Sequence, residues 1–523
     1  PWKKERTNLV NFEVAIETQG KKDILFSKDV NANITAFFTE KVSLSSYTGK
    51  KATITLITSQ DKKEQSIGYT YWYNPTIHQL AEEREKINII LISLDSLRAD
   101  HLGCYGYQKG TSPSIDSLAE DSVLFTNCFS QASQTLISHM SMLTSLFPVN
   151  HQVYSFLRTN PFLTSIADLL RVNQYFTGAY TGGGQVSATL GFAKGFDFYN
   201  ESRQKLLHKD TPLELYKKTS GWIQRNLEKN FFLFLHTYEI HDPYAPPKAY
   251  SENFLDEKAK WNSVYMFDLI GQSKHKYRHF SDEEKQNIIG LYDGEIAYTD
   301  DCLIKPLIRE LKELGLYDRT MIIVTSDHGQ EFYEHGGWLH THSLYNELIK
   351  VPLIIKFPYS EYKGTRIQSF VRSVDIAPTI LEEADIEYSK NDLDGQSLMP
   401  LIRGKEKGNR VFFSEVRGYS KIYPTQTATN KNGYKIVFNE FDEMPKSYFD
   451  PSPPPRDEVE LYFLENDPEE KNTVAEAKKE ITRELLDSVI KYLQNPRIGK
   501  DKLKEIIIDD ELREKLKALG YIR

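Results

Sequence analysis

Cysteine is scarce in this chain. Cys104, Cys128 and Cys302 are its three cysteines among 523 residues, and their wide spacing excludes both a disulfide framework and a cysteine-rich zinc cluster. Long apolar runs are missing as well, so no segment is able to span a bilayer, and no signal peptide is recognisable. A positive charge balance is also absent: the formal net charge of -8 argues against nucleic acid as a partner. The charge clusters at 81–86 and 469–471 read as solvated helix faces or linkers, and no internal repeat is evident. What remains is a chain with 40% hydrophobic residues, long enough to bury a large core in roughly two or three domains.

The hydrophobic patterning changes along the chain. Up to about Pro75 it alternates, in Asn11–Ile16, Ala52–Ile57 and Tyr69–Tyr73, with turn signals at 20–22 and 47–50; this predicts an all-β module. The segment 42–50 resembles jelly-roll sandwiches of the carbohydrate-binding type, with core packing the main role of its aromatics. A helical linker over 76–86 follows. Residues 87–398 read as an α/β core and 399–523 as a small α+β subdomain, with short strands at Val411–Val416 and Tyr434–Phe438 and a helix over 475–495 whose apolar face carries Leu485, Leu486, Val489, Ile490 and Leu493. The prolines at 451–455 mark a surface loop.

Two runs in the core have a shared logic. Asn88–Leu94 ends in Asp95, and Met321–Ser326 ends in Asp327-His328-Gly329; both are apolar throughout, as parallel strands buried on both faces are. In an open α/β sheet the carboxyl ends of the strands face one crevice, so Asp95, Asp327 and His328 are expected to meet there. Two carboxylates and an imidazole suit a divalent metal. Between these strands lies a helical stretch, 135–144, with Thr135 at its start, near free backbone N–H groups and the positive end of the helix dipole. That is a setting for a tetrahedral oxyanion group, although an ordinary N-cap threonine looks the same in isolation.

These residues belong to blocks that follow one another in the order of a known family. The blocks are Leu94-Asp95-Ser96-Leu97-Arg98-Ala99-Asp100-His101-Leu102-Gly103, the Thr135 segment, His236 to Tyr244, Tyr292 to Ile296, Ser326 to Phe332, His340 to Pro352, Val374 to Thr379, Asp394 to Leu398 and Glu460 to Pro468. On them the chain resembles the sulfatase family of the alkaline phosphatase superfamily, over nearly everything after about Lys86. The resemblance implies a mixed central sheet, a metal-dependent ester hydrolase or transferase, one divalent metal ion and an anionic ester substrate, glycan- or lipid-linked. It also implies an extracytoplasmic location. Because the chain starts at Pro1 and not Met, an upstream signal or anchor, and with it membrane proximity, is expected.

The departures are informative. Typical members carry Cys-x-Pro-Ser-Arg, its Cys converted to formylglycine; here Thr135 takes the Cys position, Ser138 the Ser position and His139 the Arg position. Thr181-Gly182-Gly183-Gly184 stands in place of Gly-Lys-Trp-His, and Ser96 in place of a second Asp, which implies a four-ligand shell of Asp95, Thr135, Asp327 and His328. Mn²⁺ or Zn²⁺ is favoured, with Mg²⁺ or Ca²⁺ the alternatives. A Thr nucleophile resembles the phosphoethanolamine transferases and lipoteichoic acid synthases, and a threonine activated by a metal gives a covalent intermediate without the formylglycine exit. Phosphate esters are therefore favoured over sulfate esters at this stage, with a sulfatase lacking formylglycine as the alternative. A non-catalytic glycan-binding pseudoenzyme is the alternative of another class; it would have lost metal ligands that this chain keeps.

His241 and His340 match substrate-contacting positions in relatives, and either is suited to protonate the leaving oxygen. Ser138, His139 and His236 are expected as substrate or pocket residues. His335 and His342 carry a weaker signal, and Arg98 and Asp100 are expected to brace the exit loop of the first strand.

Overall fold

A computed structural model of the chain describes residues 9–31, 42–60, 72, 86–156, 158–202, 211–256, 259–266, 269, 280–417, 425–440, 457–494, 496 and 504–505. The chain divides into two compact units, 1–85 and 86–523. In the first, Leu9–Thr18, Lys21–Asn31 and Thr53–Gln60 form a three-stranded antiparallel sheet with Leu9–Thr18 in the middle. The hairpin turns at Gln19 and Gly20, both with positive φ, where glycine carries no steric cost. Among the described residues this unit shows one antiparallel sheet. The strand expected at 69–73 and the linker helix fall outside the described residues, apart from Trp72, which packs edge-on against Phe12 at 5.3 Å.

The second unit is built on a nine-stranded mixed sheet. Its centre is parallel: Thr320–Thr325, Asn88–Leu94, Phe231–Thr237 and Phe176–Thr181 lie side by side in that order, with Ile89 opposite both Met321 and Phe232. Lys350–Lys356 runs antiparallel beside Thr320–Thr325 and leads to Val123–Phe129. The period of two sends Ile89, Leu91, Phe232, Phe234, Met321 and Ile323 into one apolar core, and Ile90, Ile92, Leu233, Leu235, Ile322 and Val324 into the other. Both faces are covered by helices, so strands that read as continuous apolar runs are what burial on two sides requires.

Beyond the sheet, Phe413–Val416, Thr425–Lys431, Tyr434–Glu440 and Val459–Phe463 form a four-stranded antiparallel sheet in sequence order. The helix Lys479–Gln494 closes one face of it, with Leu485 and Val489 packed against Ile436 and Leu461. The 451–455 prolines and almost all of the chain after 496 lie outside the described residues. Among the described residues no helix is long and apolar enough to cross a membrane.

Candidate active site

Three adjacent parallel strands end at the same edge of the sheet, and each delivers a polar residue there. Asp95 follows Asn88–Leu94, Asp327 and His328 come just after Thr320–Thr325, and His236 is the last residue but one of Phe231–Thr237. All four are buried. One ligand atom each from Asp95, Asp327 and His328 lies within 4.8 Å of the others. The backbone bends sharply to allow this: Ser96 has φ 63, its N–H donates to Asp327 Oδ1 at 3.2 Å and its hydroxyl to Asp95 Oδ1 at 2.9 Å. The two strand ends are thereby tied to each other by their own carboxylates.

The imidazole of His328 is oriented by its neighbour. Its Nδ1 faces the Gly329 carbonyl at 2.8 Å and so carries the proton, which leaves the Nε2 lone pair directed at the cluster. Thr135 Oγ1 sits 3.3 Å from that nitrogen. The N-cap of its helix is Gln134, and Thr135 is the first helical residue, so it is not the ordinary cap that its sequence position permits. Asp327 Oδ2 is buried and has no hydrogen-bond partner. A buried carboxylate oxygen left unpaired is costly unless a cation meets it; two carboxylates, an unprotonated imidazole nitrogen and a hydroxyl oxygen fit a divalent metal with a mixed nitrogen and oxygen donor set.

Ser138, His139 and His236, expected as substrate or pocket residues, are buried beside the cluster and hydrogen-bonded to protein groups around it. Ser138 donates to the Asp327 carbonyl at 2.6 Å. His139 donates from Nδ1 to the Thr135 carbonyl and accepts from Ser93 Oγ at Nε2, both at 2.9 Å; burial pushes its pKa down to about 3, so it is neutral and offers an anion none of the charge of the arginine it replaces. His236 accepts the Gly182 N–H at Nδ1, 3.2 Å, and therefore donates from Nε2 to Asp95 Oδ2, also 3.2 Å. All three roles keep the ligand carboxylates and the Thr135 backbone in place, an arrangement usual around metal sites.

His340 and His241 do come to the site. The His340 ring centroid lies 4.3 Å from that of His328 and 4.9 Å from that of His241. His340 Nδ1 faces Gln330 Oε1 at 2.9 Å, and that glutamine donates to Tyr244 at 2.5 Å; His241 Nδ1 faces the Asp242 carbonyl at 2.6 Å. Burial, then the neighbouring imidazoles, holds the His340 pKa well below the usual value. His342 is tied to Glu331 at 2.5 Å and His335 to Glu347 at 2.6 Å, which gives both a place in the loop around His340. Arg98 braces the exit loop as expected, through Asp100 at 2.7 Å.

Two residues at the site carry no signal that the sequence reading used. Gln330 fixes the His340 ring; its position directly after Asp-His-Gly is the one clue. Gln185 accepts the Leu136 N–H, one residue past Thr135, at 2.9 Å, and only the glycine run before it marks the place.

Comparison with known proteins follows this geometry. The family model described as "Sulfatase" matches residues 87–386, and one described as "N-sulphoglucosamine sulphohydrolase, C-terminal" matches 333–495. A ulvan-active sulfatase of Formosa agariphila is 22% identical over 408 residues, 71% of this chain and 76% of that one. A structure solved in complex with its substrate, D-glucosamine-2-N,6-O-disulfate, superposes with a TM-score of 0.63 at 19% identity, over 79% of this chain and 99% of that one. The phosphonate monoester hydrolase of Agrobacterium radiobacter gives 0.61 at 19% identity, over 81% and 100%. With its strand-end cluster inside a family match covering more than half its length, the chain belongs to the sulfatase family of the alkaline phosphatase superfamily and is a hydrolase of that family.

Proposed function

We propose that the protein hydrolyses sulfate esters on an anionic glycan, with Thr135 itself as nucleophile and no formylglycine. The observation that carries this is the position of Thr135 Oγ1, buried on the first turn of its helix and 3.3 Å from His328 Nε2 beside the strand-end carboxylates. Residue chemistry alone ranked phosphate esters first. The sulfatase names of the curated relatives and the disulfated glucosamine bound by a structural neighbour favour the opposite order, so sulfate is now the leading reading.

In the first step Thr135 Oγ1 bonds to sulfur as the bond from sulfur to the leaving oxygen breaks. A neutral imidazole that accepts the threonine proton and returns it to the leaving oxygen balances the exchange; His340, neutral through burial, is suited to that. Water then attacks sulfur, the bond to Oγ1 breaks, threonine regains its proton and sulfate leaves. A divalent cation held by Asp95, Asp327, His328 and the Thr135 oxygen supplies stabilisation of the threonine alkoxide. Mn²⁺ or Zn²⁺ suits an imidazole-containing set better than Mg²⁺ or Ca²⁺. An extracytoplasmic setting belongs to the same proposal.

A second reading is hydrolysis or transfer of a phosphodiester or phosphonate monoester, favoured by one feature of this chain: threonine lacks the geminal hydroxyl through which a formylglycine hydrate expels sulfate. A panel of aryl sulfate, sulfated glucosamine, aryl phosphodiester, aryl phosphonate monoester and aryl phosphate, each with several divalent metals, separates the two. Turnover of sulfate esters above the phosphorus esters supports the first, the reverse order supports the second, and full activity after metal stripping removes the metal from both.

A further inference from the structure

The turn that stands in place of the family's Gly-Lys-Trp-His element is shaped to deliver a glutamine. Gly183 and Gly184 have φ of 68 and 60, and a Cβ on Gly182 would meet the Tyr238 ring at 2.4 Å, so the glycines let the chain turn tightly over that ring. The tyrosine hydroxyl accepts the Gln185 N–H at 3.1 Å and donates to the Gly183 carbonyl at 3.2 Å. The Gln185 backbone is therefore pinned on a ring that also packs 4.6 Å from His236.

The Gln185 side chain is fully buried, and its contact with Leu136 settles which way its amide faces. A backbone N–H only donates, so the atom 2.9 Å from Leu136 N is the acceptor Oε1, and Nε2 is the donor on the other side of the same carbon. That Nε2 is buried without a hydrogen-bond partner, as are Ser133 Oγ and both amide atoms of Gln134, the two residues immediately before the nucleophile. Buried donors are ordinarily paired. The three that can donate, Gln185 Nε2, Ser133 Oγ and Gln134 Nε2, belong to the residues just before Thr135 and to the one that accepts from its helix, and they point to a ligand that accepts from them. None of them is charged, and the strongest electrostatic influences on Asp95, Asp327 and His340 come from one another and from histidines.

We propose that Gln185 Nε2–H hydrogen-bonds a non-bridging oxygen of the ester's tetrahedral group, and that this uncharged subsite takes monoanionic esters in preference to dianionic ones. Sulfate monoesters, phosphodiesters and phosphonate monoesters each bring a single negative charge at neutral pH. A phosphate monoester brings close to two, and none of these side chains carries a positive charge to offset the second. The inference rests on Thr135 as nucleophile, because the subsite is defined by the bond that Thr135 forms.

The test uses the metal-loaded full chain and aryl esters sharing one leaving group. In the wild-type protein, kcat/KM for the aryl sulfate or the phosphodiester should exceed that for the aryl phosphate by at least about a hundredfold; a preference for the aryl phosphate overturns the proposal without any variant. Gln185→Glu keeps the acceptor for the Leu136 N–H and replaces the donor with an anionic oxygen. Its KM for the monoanion should rise about tenfold or more in protein shown to be folded by circular dichroism. Gln185→Lys should shift selectivity towards the aryl phosphate. A residue that merely caps the helix predicts an unchanged KM and unchanged selectivity in Gln185→Glu. That result, with activity abolished in Thr135→Ala, overturns the Gln185 assignment alone; undiminished activity in Thr135→Ala overturns both readings.

Discussion

Asp327 and Asp293 are both fully buried carboxylates that face histidines, yet they are different chemical objects. Asp293 has both oxygens engaged: Oδ1 lies 2.7 Å from His101 Nδ1, and Oδ2 accepts from Tyr107 at 2.7 Å and Lys109 at 3.3 Å. Asp327 has Oδ1 held by the Ser96 N–H, while Oδ2 is unpaired and 3.3 Å from an imidazole nitrogen that carries no proton. Burial and a histidine neighbour are common to both, so neither marks a function. Unspent hydrogen-bonding capacity does, since a buried carboxylate with a free lone pair is stable only with something to meet it.

Thr135, proposed above as the nucleophile, gives the largest effect by which this contrast is tested. Thr135→Ala should lower kcat by about three orders of magnitude or more, while thermal unfolding moves by only a few degrees, the effect of about 1 kcal/mol. In the wild type, mass spectrometry of quenched reactions should find a sulfuryl or phosphoryl adduct on the Thr135 peptide. Residual activity within tenfold of wild type would break the assignment.

The carboxylates themselves come next. Asp327→Asn should abolish tight metal binding by elemental analysis and nearly all turnover, while its cost to the metal-free protein is limited to weakening the bonds that Oδ1 accepts from the Ser96 N–H and the Ser326 hydroxyl. Asp293→Asn should do the opposite. It weakens the bonds from His101, Tyr107 and Lys109 and costs about 1–3 kcal/mol of stability, with kcat/KM within about threefold of wild type. Equal kinetic damage in the two variants would erase the distinction. Chelating the metal from the wild type should lower its melting temperature by mass action, and restoring it should bring back both stability and turnover.

What was legible in the sequence follows the same division. Asp95, Asp327 and His328 were readable because a parallel strand fixes where its last residue goes: a continuous apolar run announces the strand, and the sheet edge does the rest. Thr135 was readable as a helix start. The hydrogen bonds of Ser138, His139 and His236 were not, because a motif position tells which residue is near the site and not which way its hydrogen bonds run. Gln185 was invisible for a related reason, since a glutamine after three glycines has no periodicity to place it. In the N-terminal unit alternation located the strands Leu9–Thr18 and Thr53–Gln60 and missed Lys21–Asn31, whose alternation is interrupted by charged residues.

His340 offers a smaller effect with a definite sign. Its pKa lies well below the usual histidine value because burial and the imidazoles around it penalise the charged form. The neutral, proton-accepting form is therefore present throughout the range above that lowered value and is lost only as pH falls through it. Turnover should stay level from about pH 8 to pH 6, with its acid limb below the 6.5 of an ordinary histidine. His340→Gln should cost about a hundredfold with a poor leaving group and much less with an acidic phenol. An acid limb centred near 6.5 that disappears in His340→Gln would show an exposed, ordinary imidazole in place of the buried one.

Asp300 supplies the smallest effect and the far end of the comparison. It is another buried carboxylate with both oxygens spent, accepting the Ser114 and Ile115 N–H groups at 2.9 and 2.8 Å at the start of the helix Pro113–Glu120. Burial outweighs these bonds and pushes its pKa up to about 6. A group whose folded pKa is raised contributes stability that is fully present below its unfolded value, near 3.8, and is lost as pH rises through the folded one. Asp300 should thus make the protein less stable at pH 7 than at pH 4.5, by an amount on the order of 2 kcal/mol. Calorimetry of Asp300→Asn should show a flatter dependence of melting temperature on pH across that window than the wild type shows. Turnover should be unaffected, since both oxygens of the residue are engaged in holding a helix. Parallel curves for the two proteins would mean that the paired amides, and not burial, set the charge of Asp300, and that a spent carboxylate in this fold is as comfortable ionised as one in water.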